Sequence, residues 1–423
     1  MTLKILTYWL KVSIIVILGL SIYFWNNNLI KLQNLDHNTE TIDYYNNFST
    51  QTTYLTENHI FINDSDPIKN WNNTMLSNEW CSGSGTLHDP YVINAVLLEK
   101  GNYSTKINIV NSRRYFQVNN CLFLDCDRGI ELNNVSNGII SNNLVTDMSS
   151  NFIEINNCAN ISVKNNLIND ICMEGIIVSH STNISIFENT IDTFCGINYG
   201  ISLSHVNCSH VINNSVAFTG GYVKLGLYYS NNNVIMNNSL IKTGGTGLII
   251  YNSKNNLILN NTIKDCRDAI ELYSQSCFNQ ISFNYLAIRG DGIHLSGNSS
   301  SNLISDNIID TSTIFETDRG YKGIHVYLCN NNTVLSNFIK NLGGGISIVF
   351  SNYSFIINNT LFHNGYCIRE YESVGNVFLN NLCVPIPEDY PIIDGYHFFI
   401  LSIMIFFGLL VYLRKNLKKF LIK

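Results

Sequence analysis

Apolar residues in the central part of the chain occur in short runs that alternate with polar residues. The runs are separated by polar pairs, most often Asn-Asn. Ile161-Ser162-Val163 precedes one such pair, and Leu167-Ile168 follows it. Alternation with a period of two is the pattern of a strand that buries one face. The pattern therefore predicts many short β-strands joined by tight polar turns.

The runs recur with a fixed period. Successive members of an Asn column are 22–25 residues apart, with one spacing of 30. Each unit also carries a Gly-Ile-x-Leu-like segment about fourteen residues before its Asn, as in Gly129-Ile130-Glu131-Leu132. Three short strands per unit predict an all-β parallel β-helix of about twelve coils. The column consists of Asn120, Asn143, Asn166, Asn189, Asn214, Asn238, Asn261, Asn284, Asn307, Asn337, Asn359 and Asn381.

A structural role is predicted for this column. Asn tolerates the left-handed backbone that a sharp turn requires. Its amide can also donate to and accept from the same residue in the neighbouring coils, at the ~4.8 Å spacing of adjacent strands. We therefore expect a ladder of stacked Asn side chains along the solenoid.

The entry to the repeats carries a family resemblance. The segment Gly83-Ser84-Gly85-Thr86-Leu87-His88-Asp89-Pro90-Tyr91-Val92-Ile93 resembles the lead-in of archaeal members of the NosD-like and CASH (carbohydrate-binding and sugar hydrolase) β-helix proteins. The resemblance covers roughly residues 83–383 and implies a right-handed solenoid. It does not imply one activity, because such folds carry many functions.

Both ends of the chain differ from the repeats. Val12–Trp25 is an uncharged apolar run behind Lys4 and Lys11, and Tyr396–Leu413 is followed directly by a basic tail. Apolar runs with basic flanks predict a membrane-anchored ectodomain outside the cell and a cytoplasmic tail. The predicted organisation is a signal peptide or signal anchor (1–31), an irregular N-terminal cap (32–82), the β-helix (83–384), a Pro-rich stalk (385–395), a transmembrane helix (396–413) and a basic cytoplasmic tail (414–423).

Composition narrows the choice of partner. The chain is 45% hydrophobic, which is too much for a disordered Asn-rich tract. Its net charge is −6, although eight Lys and Arg residues lie near the two ends. The body between them is therefore strongly acidic, which excludes nucleic acid as a partner. Several Asn-x-Ser/Thr sequons, including Asn134, Asn160 and Asn183, predict glycosylation of an exported domain.

Two outward columns of the Gly-Ile-x-Leu strands hold the candidate chemistry. One column contains Glu271, His294, His325 and Arg369. The seven extra residues in the spacing of 30 predict a loop that carries Asp318 and Arg319 beside the two histidines. The neighbouring column is predicted to be a strip of ligand-binding tyrosines, namely Tyr228, Tyr251, Tyr273, Tyr327 and Tyr371.

Tyrosine rings beside acids and imidazoles are typical of sugar-binding surfaces. We therefore predict a carbohydrate-binding or surface-adhesion protein whose partner is a glycan. A polysaccharide lyase or glycoside hydrolase that uses Glu271, His294, His325, Asp318 and Arg319 is the alternative enzyme hypothesis. A purely structural rod is the third, in which the exposed tyrosines serve as strand formers.

No cofactor is predicted. A divalent cation at Glu271, His294 and His325 remains an alternative to simple surface residues. The twelve Cys residues contain no C-x-x-C motif, which argues against a zinc ribbon or thioredoxin-type site. Cys172 and Cys195 are one repeat apart, so both a disulfide and a reduced stack are compatible with the spacing.

Overall fold

The computed structural model describes residues 54–99, 101, 104–193, 199–218, 222–241, 244–311 and 320–384. In these residues the chain winds through three sheets, here called A, B and C, in the same order in every coil. The strand pairs between successive coils are parallel, as in Ile153 with Ile176. The predicted all-β parallel β-helix of about twelve coils is confirmed.

The strand bounds follow the coils. Sheet A contains Leu55–Glu57, Val96–Glu99, Leu122–Leu124, Leu144–Thr146, Leu167–Asn169, Thr190–Thr193, Ser215–Phe218, Ser239–Ile241, Thr262–Cys266, Tyr285–Ile288, Ile308–Thr311, Phe338–Lys340, Thr360–Phe362 and Leu382–Val384. Sheet B contains Ile60–Asn63, Thr105–Ser112, the first part of Arg128–Ser141, Ile153–Asn156, Ile176–Ser179, Tyr199–Ser204, Val223–Tyr228, Thr246–Tyr251, Ile270–Tyr273, Ile293–Leu295, Lys322–Tyr327, Gly344–Val349 and Ile368–Tyr371. Sheet C contains Cys81–Ser82, Tyr91–Asn94, Phe116–Asn119, the second part of Arg128–Ser141, Ala159–Lys164, Thr182–Phe187, His210–Ile212, Val234–Met236, Leu257–Leu259, Gln280–Ser282, Leu303–Ser305, Thr333–Leu335, Phe355–Ile357 and Val377–Leu379.

The core is a set of aliphatic columns inside the solenoid. Ile153, Ile176 and Ile201 pair in successive coils of sheet B, and each is 0% exposed. Full burial of one such side chain contributes roughly 1.5–3 kcal/mol. Strand residues alternate between the two faces of the sheet. The residue that follows each of these isoleucines along its strand therefore points out of the solenoid.

The two residues of each Asn pair have different roles. The first residue takes the left-handed backbone, with φ of +54° at Asn142 and +53° at Asn260. The second residue is buried and forms the ladder, since Asn261 Oδ1 accepts from both the backbone N–H and the Nδ2 of Asn238. The left-handed turn that we predicted for the ladder column therefore belongs to its neighbour. Amide contacts of this kind connect Asn143, Asn166, Asn189, Asn214, Asn238, Asn261, Asn284, Asn307, Asn337, Asn359 and Asn381.

Asn120 does not belong to the ladder. Leu122 pairs with Leu144, so the ladder position one coil before Asn143 is Cys121. The Cys121 N–H donates to Asn143 Oδ1. Asn120 is instead the left-handed residue of its turn, with φ of +53°.

A second amide ladder follows sheet B. Its members accept from the backbone N–H of the preceding member; for example, the Asn256 N–H donates to Asn279 Oδ1 over 2.9 Å. This ladder was not predicted from the sequence, because the residue that precedes each of its Asn residues varies and an Asn-Asn pair does not mark every coil. It contains Asn233, Asn256, Asn279, Asn302 and Asn332.

Parallel pairing starts earlier than predicted. The region 32–82 was expected to form an irregular cap, but Leu55–Glu57 and Ile60–Asn63 already pair in sheets A and B. The remainder of this region includes the short helix Trp71–Ser77. The Trp71 ring is fully buried and stacks on Tyr91, with ring centroids 5.1 Å apart. The helix is thus held against the first coils.

A disulfide joins Cys367 to Cys383 in the last coil, with their Cα atoms 5.8 Å apart. Disulfides persist in oxidising compartments, so this bond agrees with an exported domain. Cys172 is exposed, and its predicted neighbour Cys195 lies outside the described residues.

The predicted terminal segments also lie outside the described residues, as does the Pro-rich stalk. Within the part of the chain that is described, no helix is both long and apolar enough to cross a bilayer.

Candidate functional site

The outer face of sheet B brings the candidate residues together. Strand pairing places Glu271 beside His294 and His294 beside His325 in successive coils. The same column continues through Ser347 to Arg369 at its C-terminal end. The predicted column is therefore present in the structure. Asp318 and Arg319 lie outside the described residues.

Aromatic side chains flank this column in two segments. The first contains Tyr228, Tyr251 and Tyr273, and the Tyr251 and Tyr273 ring centroids are 4.8 Å apart. The second contains Tyr327, Phe350 and Tyr371, with centroids 6.0 and 5.8 Å apart. Phe350 was not predicted, because it is the turn residue after Val349 and not the strand residue in the tyrosine column.

The aromatic strip is interrupted in the coil of His294. Ser296 occupies the corresponding position there, since it follows Leu295 as Tyr273 follows Leu272. The two imidazoles of His294 and His325 lie beside this gap and stack in parallel, with centroids 4.8 Å apart and planes 11° apart. A polar cluster thus lies between two aromatic segments.

Hydrogen bonds hold the N-terminal part of the cluster. Glu271 accepts from Thr246 Oγ1 over 2.8 Å, and the Arg267 guanidinium lies 3.6 Å from the same carboxylate. Arg267 also pairs with Asp268 at 2.7 Å. Burial raises the pKa of Glu271, against the opposing hydrogen bond from Thr246, and the nearby Asp268 carboxylate raises it further. Glu271 is therefore protonated at higher pH than an ordinary glutamate.

The C-terminal part is built around Asp291. Its Oδ1 accepts from the Lys322 backbone N–H over 2.8 Å, while its Oδ2 lies 3.7 Å from His325 Nδ1. Burial acts to raise the pKa of Asp291, but the contacts with the His325 ring and the Lys322 backbone outweigh it. The pKa of Asp291 is therefore below its usual value. Asp291 is thus a carboxylate at neutral pH, with one oxygen directed to the imidazole.

The backbone around Asp291 is fixed by close packing. Its own N–H donates to Asp268 Oδ1 over 2.8 Å. Gly290 precedes it, and a Cβ at that position would collide with the Arg267 carbonyl oxygen and with Asp268 Oδ1. Glycine is therefore required for the Asp268–Asp291 contact.

His294 is the least satisfied polar group of the site. Its Nε2 is buried and has no hydrogen-bond partner among the described residues. Burial, and then the neighbouring His325 ring, lower the pKa of His294. The neutral imidazole is thus favoured at neutral pH.

Donor atoms of Asp291, His294 and His325 all lie within 4.8 Å of one another. The sequence predicted the same two histidines as weak metal candidates, but with Glu271 as the carboxylate. Glu271 is instead held by Thr246, one coil earlier. The sequence signal that identifies the better carboxylate is Asp291-x-x-His294, in which the acid occupies the corner before the strand.

Comparisons with known proteins agree with this architecture. A family model described as "Right handed beta helix region" matches residues 194–309. A second, described as "Periplasmic copper-binding protein (NosD)", matches residues 309–385. Together with the parallel solenoid, these matches identify residues 194–385 as a NosD-like right-handed β-helix repeat region. Two imidazoles with one carboxylate, as in Asp291, His294 and His325, form a donor set that suits Cu²⁺ as well as Zn²⁺.

Solved structures similar to this NosD-like chain are of low identity. The A-module of mannuronan C-5 epimerase AlgE6 from Azotobacter vinelandii is 12% identical, with a TM-score of 0.45 and coverage of 82% of this chain and 94% of that one. The Streptococcus pneumoniae surface protein and adhesin PfbA is 14% identical, with a TM-score of 0.44 and coverage of 69% and 91%. DFA-IIIase from Arthrobacter chlorophenolicus A6 is 15% identical, with a TM-score of 0.42 and coverage of 55% and 70%. No curated protein matches the chain.

Proposed function

We propose that this NosD-like protein binds a glycan chain along the outer face of sheet B, outside the cytoplasm. The observation that carries the proposal is the pair of aromatic segments, in register with the coils, on either side of a hydrogen-bonding cluster. Aromatic rings supply large apolar faces, and the acids and imidazoles supply donors and acceptors for hydroxyl groups.

The spacing of the surface supports a polymeric ligand. Side chains in one column recur at the ~4.8 Å interval between strands, which is close to the length of one sugar unit in an extended polysaccharide. Tyr251 and Tyr273 offer rings on neighbouring coils, and Tyr327 continues the strip beyond the gap at Ser296. Successive sugars would thus meet equivalent side chains in successive coils.

Charge favours a neutral glycan. Asp268, Glu271 and Asp291 form an acidic surface beside the strip, and they repel carboxylates and sulfates. Arg369 lies at the far end of the column, where its guanidinium covers the Tyr366 ring at 4.3 Å. We therefore expect neutral polysaccharides to bind more tightly than uronic-acid polymers.

Substitution of Tyr251, Tyr273 and Tyr327 by Ser is expected to weaken glycan binding by roughly 100-fold. Each aromatic contact contributes about 0.5–1.5 kcal/mol beyond its buried area, and three together correspond to losses of that order. Isothermal titration of the full-length protein with a neutral oligosaccharide measures the effect.

The matched control replaces three outward aromatics on the other sheets, Tyr285, Phe338 and Phe355, by Ser. Affinity in this variant should stay within threefold of the unmodified protein. Equal losses of glycan affinity in both variants would contradict glycan binding on sheet B.

Glycan cleavage is a second candidate function. Its support is Glu271, a carboxyl group with a raised pKa, next to His294, whose Nε2 has no hydrogen-bond partner among the described residues. Such a pair can supply a general acid and a general base. Substitution of His294 and His325 by Ala should then abolish turnover, and unchanged turnover would exclude this role.

A further inference from the structure

We propose that Asp291, His294 and His325 bind one divalent transition-metal ion on the outer face of sheet B. Among the described residues, this is the one group of three metal-ligating side chains whose donor atoms lie within 4.8 Å of one another. The proposal is independent of glycan binding, because it rests on these three side chains and not on the aromatic strip.

The His294 imidazole favours coordination of a metal. His294 Nε2 is buried and makes no hydrogen bond within the described structure. A buried polar group without a partner destabilises the folded state. Coordination of a metal would satisfy such a nitrogen.

Hydrogen bonds from neighbouring residues orient the Asp291 carboxylate. The Lys322 backbone N–H holds Asp291 Oδ1 at 2.8 Å and leaves Oδ2 on the side of His325. Asp268 fixes the Asp291 backbone from the preceding coil. Outer hydrogen bonds of this kind orient metal ligands in established sites.

The distances between the donor atoms also suit a metal ion. Ligands of a tetrahedral zinc ion at ~2.0–2.1 Å lie about 3.4 Å from one another. Asp291 Oδ2 and His325 Nδ1 are 3.7 Å apart, close to that value. The widest separation in the group is at most 4.8 Å, so closure around an ion requires movements of about 1 Å.

The donor set selects the class of ion. Two imidazoles and one carboxylate suit Zn²⁺ and Cu²⁺, whereas Ca²⁺ and Mg²⁺ prefer oxygen ligands alone. Asp268 and Glu271 add negative charge nearby, which offsets the positive charges of Arg267 and Lys322. Three protein ligands would leave a fourth position for water or another ligand on a tetrahedral ion.

The chain contains its own control. His180 and His205 stack in the same way on neighbouring coils, with centroids 4.8 Å apart and planes 8° apart. Within the described residues this second pair belongs to no group of three metal-ligating side chains. If stacked imidazoles alone recruited metal, both pairs would do so equally.

The test uses the full-length protein in mild detergent, without a polyhistidine tag and after treatment with a chelator. Titration calorimetry with Zn²⁺ should show one site per chain with micromolar affinity or better. Co²⁺ should give a visible absorption band that Zn²⁺ removes. His294→Ala and Asp291→Asn should each weaken binding by at least about 100-fold, while the double variant His180→Ala, His205→Ala should bind as the unmodified protein does.

Circular dichroism shows whether each variant retains its β structure. Failure of the unmodified protein to bind Zn²⁺ at one site per chain would overturn the proposal. So would unchanged affinity in folded His294→Ala and Asp291→Asn, or an equal loss in the His180 and His205 variant. Glycan affinity of the chelated protein, measured separately, distinguishes failure of the metal site from failure of the proposed function.

Discussion

Replacement of Asn261 by Ala is expected to lower the free energy of unfolding by about 3–5 kcal/mol. Asn261 is 1% exposed, and its Oδ1 accepts two hydrogen bonds from Asn238. Its Nδ2 donates to the Ile235 carbonyl and to Asn284 Oδ1. Alanine leaves these groups buried and unpaired, and each unmet group costs roughly 1–3 kcal/mol. Chemical denaturation followed by circular dichroism measures the change.

The neighbouring Asn260 gives the matched control. It has φ of +53°, and its side chain donates to Asn237 at an exposed position. Asn260→Gly should therefore be nearly neutral, and Asn260→Ala should cost about 1–2 kcal/mol through backbone strain alone. Stabilities of Asn261→Ala and Asn260→Gly that differ by less than 1 kcal/mol would contradict the separate roles assigned to the two residues of the pair.

Replacement of Lys224 by Met is expected to raise stability at pH 7 by roughly 2–4 kcal/mol. Lys224 is 0% exposed, and burial lowers its pKa from 10.5 to about 6. Cys266 and Asp192 lie nearby and oppose this shift only in part. Each tenfold loss of proton affinity corresponds to about 1.4 kcal/mol. At pH 7, which is 3.5 units below the unfolded pKa of 10.5, the upper bound is therefore about 5 kcal/mol, and relaxation of the site reduces it.

The sign of the pH dependence follows from the two states. Between pH 6 and 10.5 the unfolded chain holds a proton on Lys224 that the folded chain lacks, so stability rises with pH across this window. Below pH 6 Lys224 is protonated in both the folded and the unfolded chain, so the free-energy cost of its burial no longer changes with pH. Lys224→Met should remove this slope, whereas Lys254→Met, at a partly exposed position, should retain it. A slope that is the same in all three proteins would refute the assignment.

The period of the sequence was sufficient to predict the fold. Each coil repeats one hydrophobic pattern, so strand positions and the outward column of Glu271, His294 and His325 follow from alternation alone. The Asn120 prediction failed because one coil is a residue shorter, which puts Cys121 at the ladder position. We aligned the coils by the spacing of their Asn residues. Where two Asn residues are adjacent, that spacing does not show that a coil is one residue shorter.

The site was only partly predictable. Asp291 lies at the corner before its strand, and corner side chains do not follow the alternation that places strand residues. Its contact with His325 depends on the Lys322 backbone and on Gly290, neither of which the periodicity identifies. Likewise, Phe350 completes the second aromatic segment from a left-handed turn, where φ is +49°.

Glycan binding is the central property that we propose for sheet B. Incubation of the full-length protein with neutral and acidic polysaccharides, followed by mass spectrometry of bound and released sugars from the same tube, tests it most directly. We predict that a neutral polysaccharide is retained intact, and that the Tyr251, Tyr273 and Tyr327 variant loses this retention. Absence of any retained glycan, or retention that the variant preserves in full, would contradict the claim.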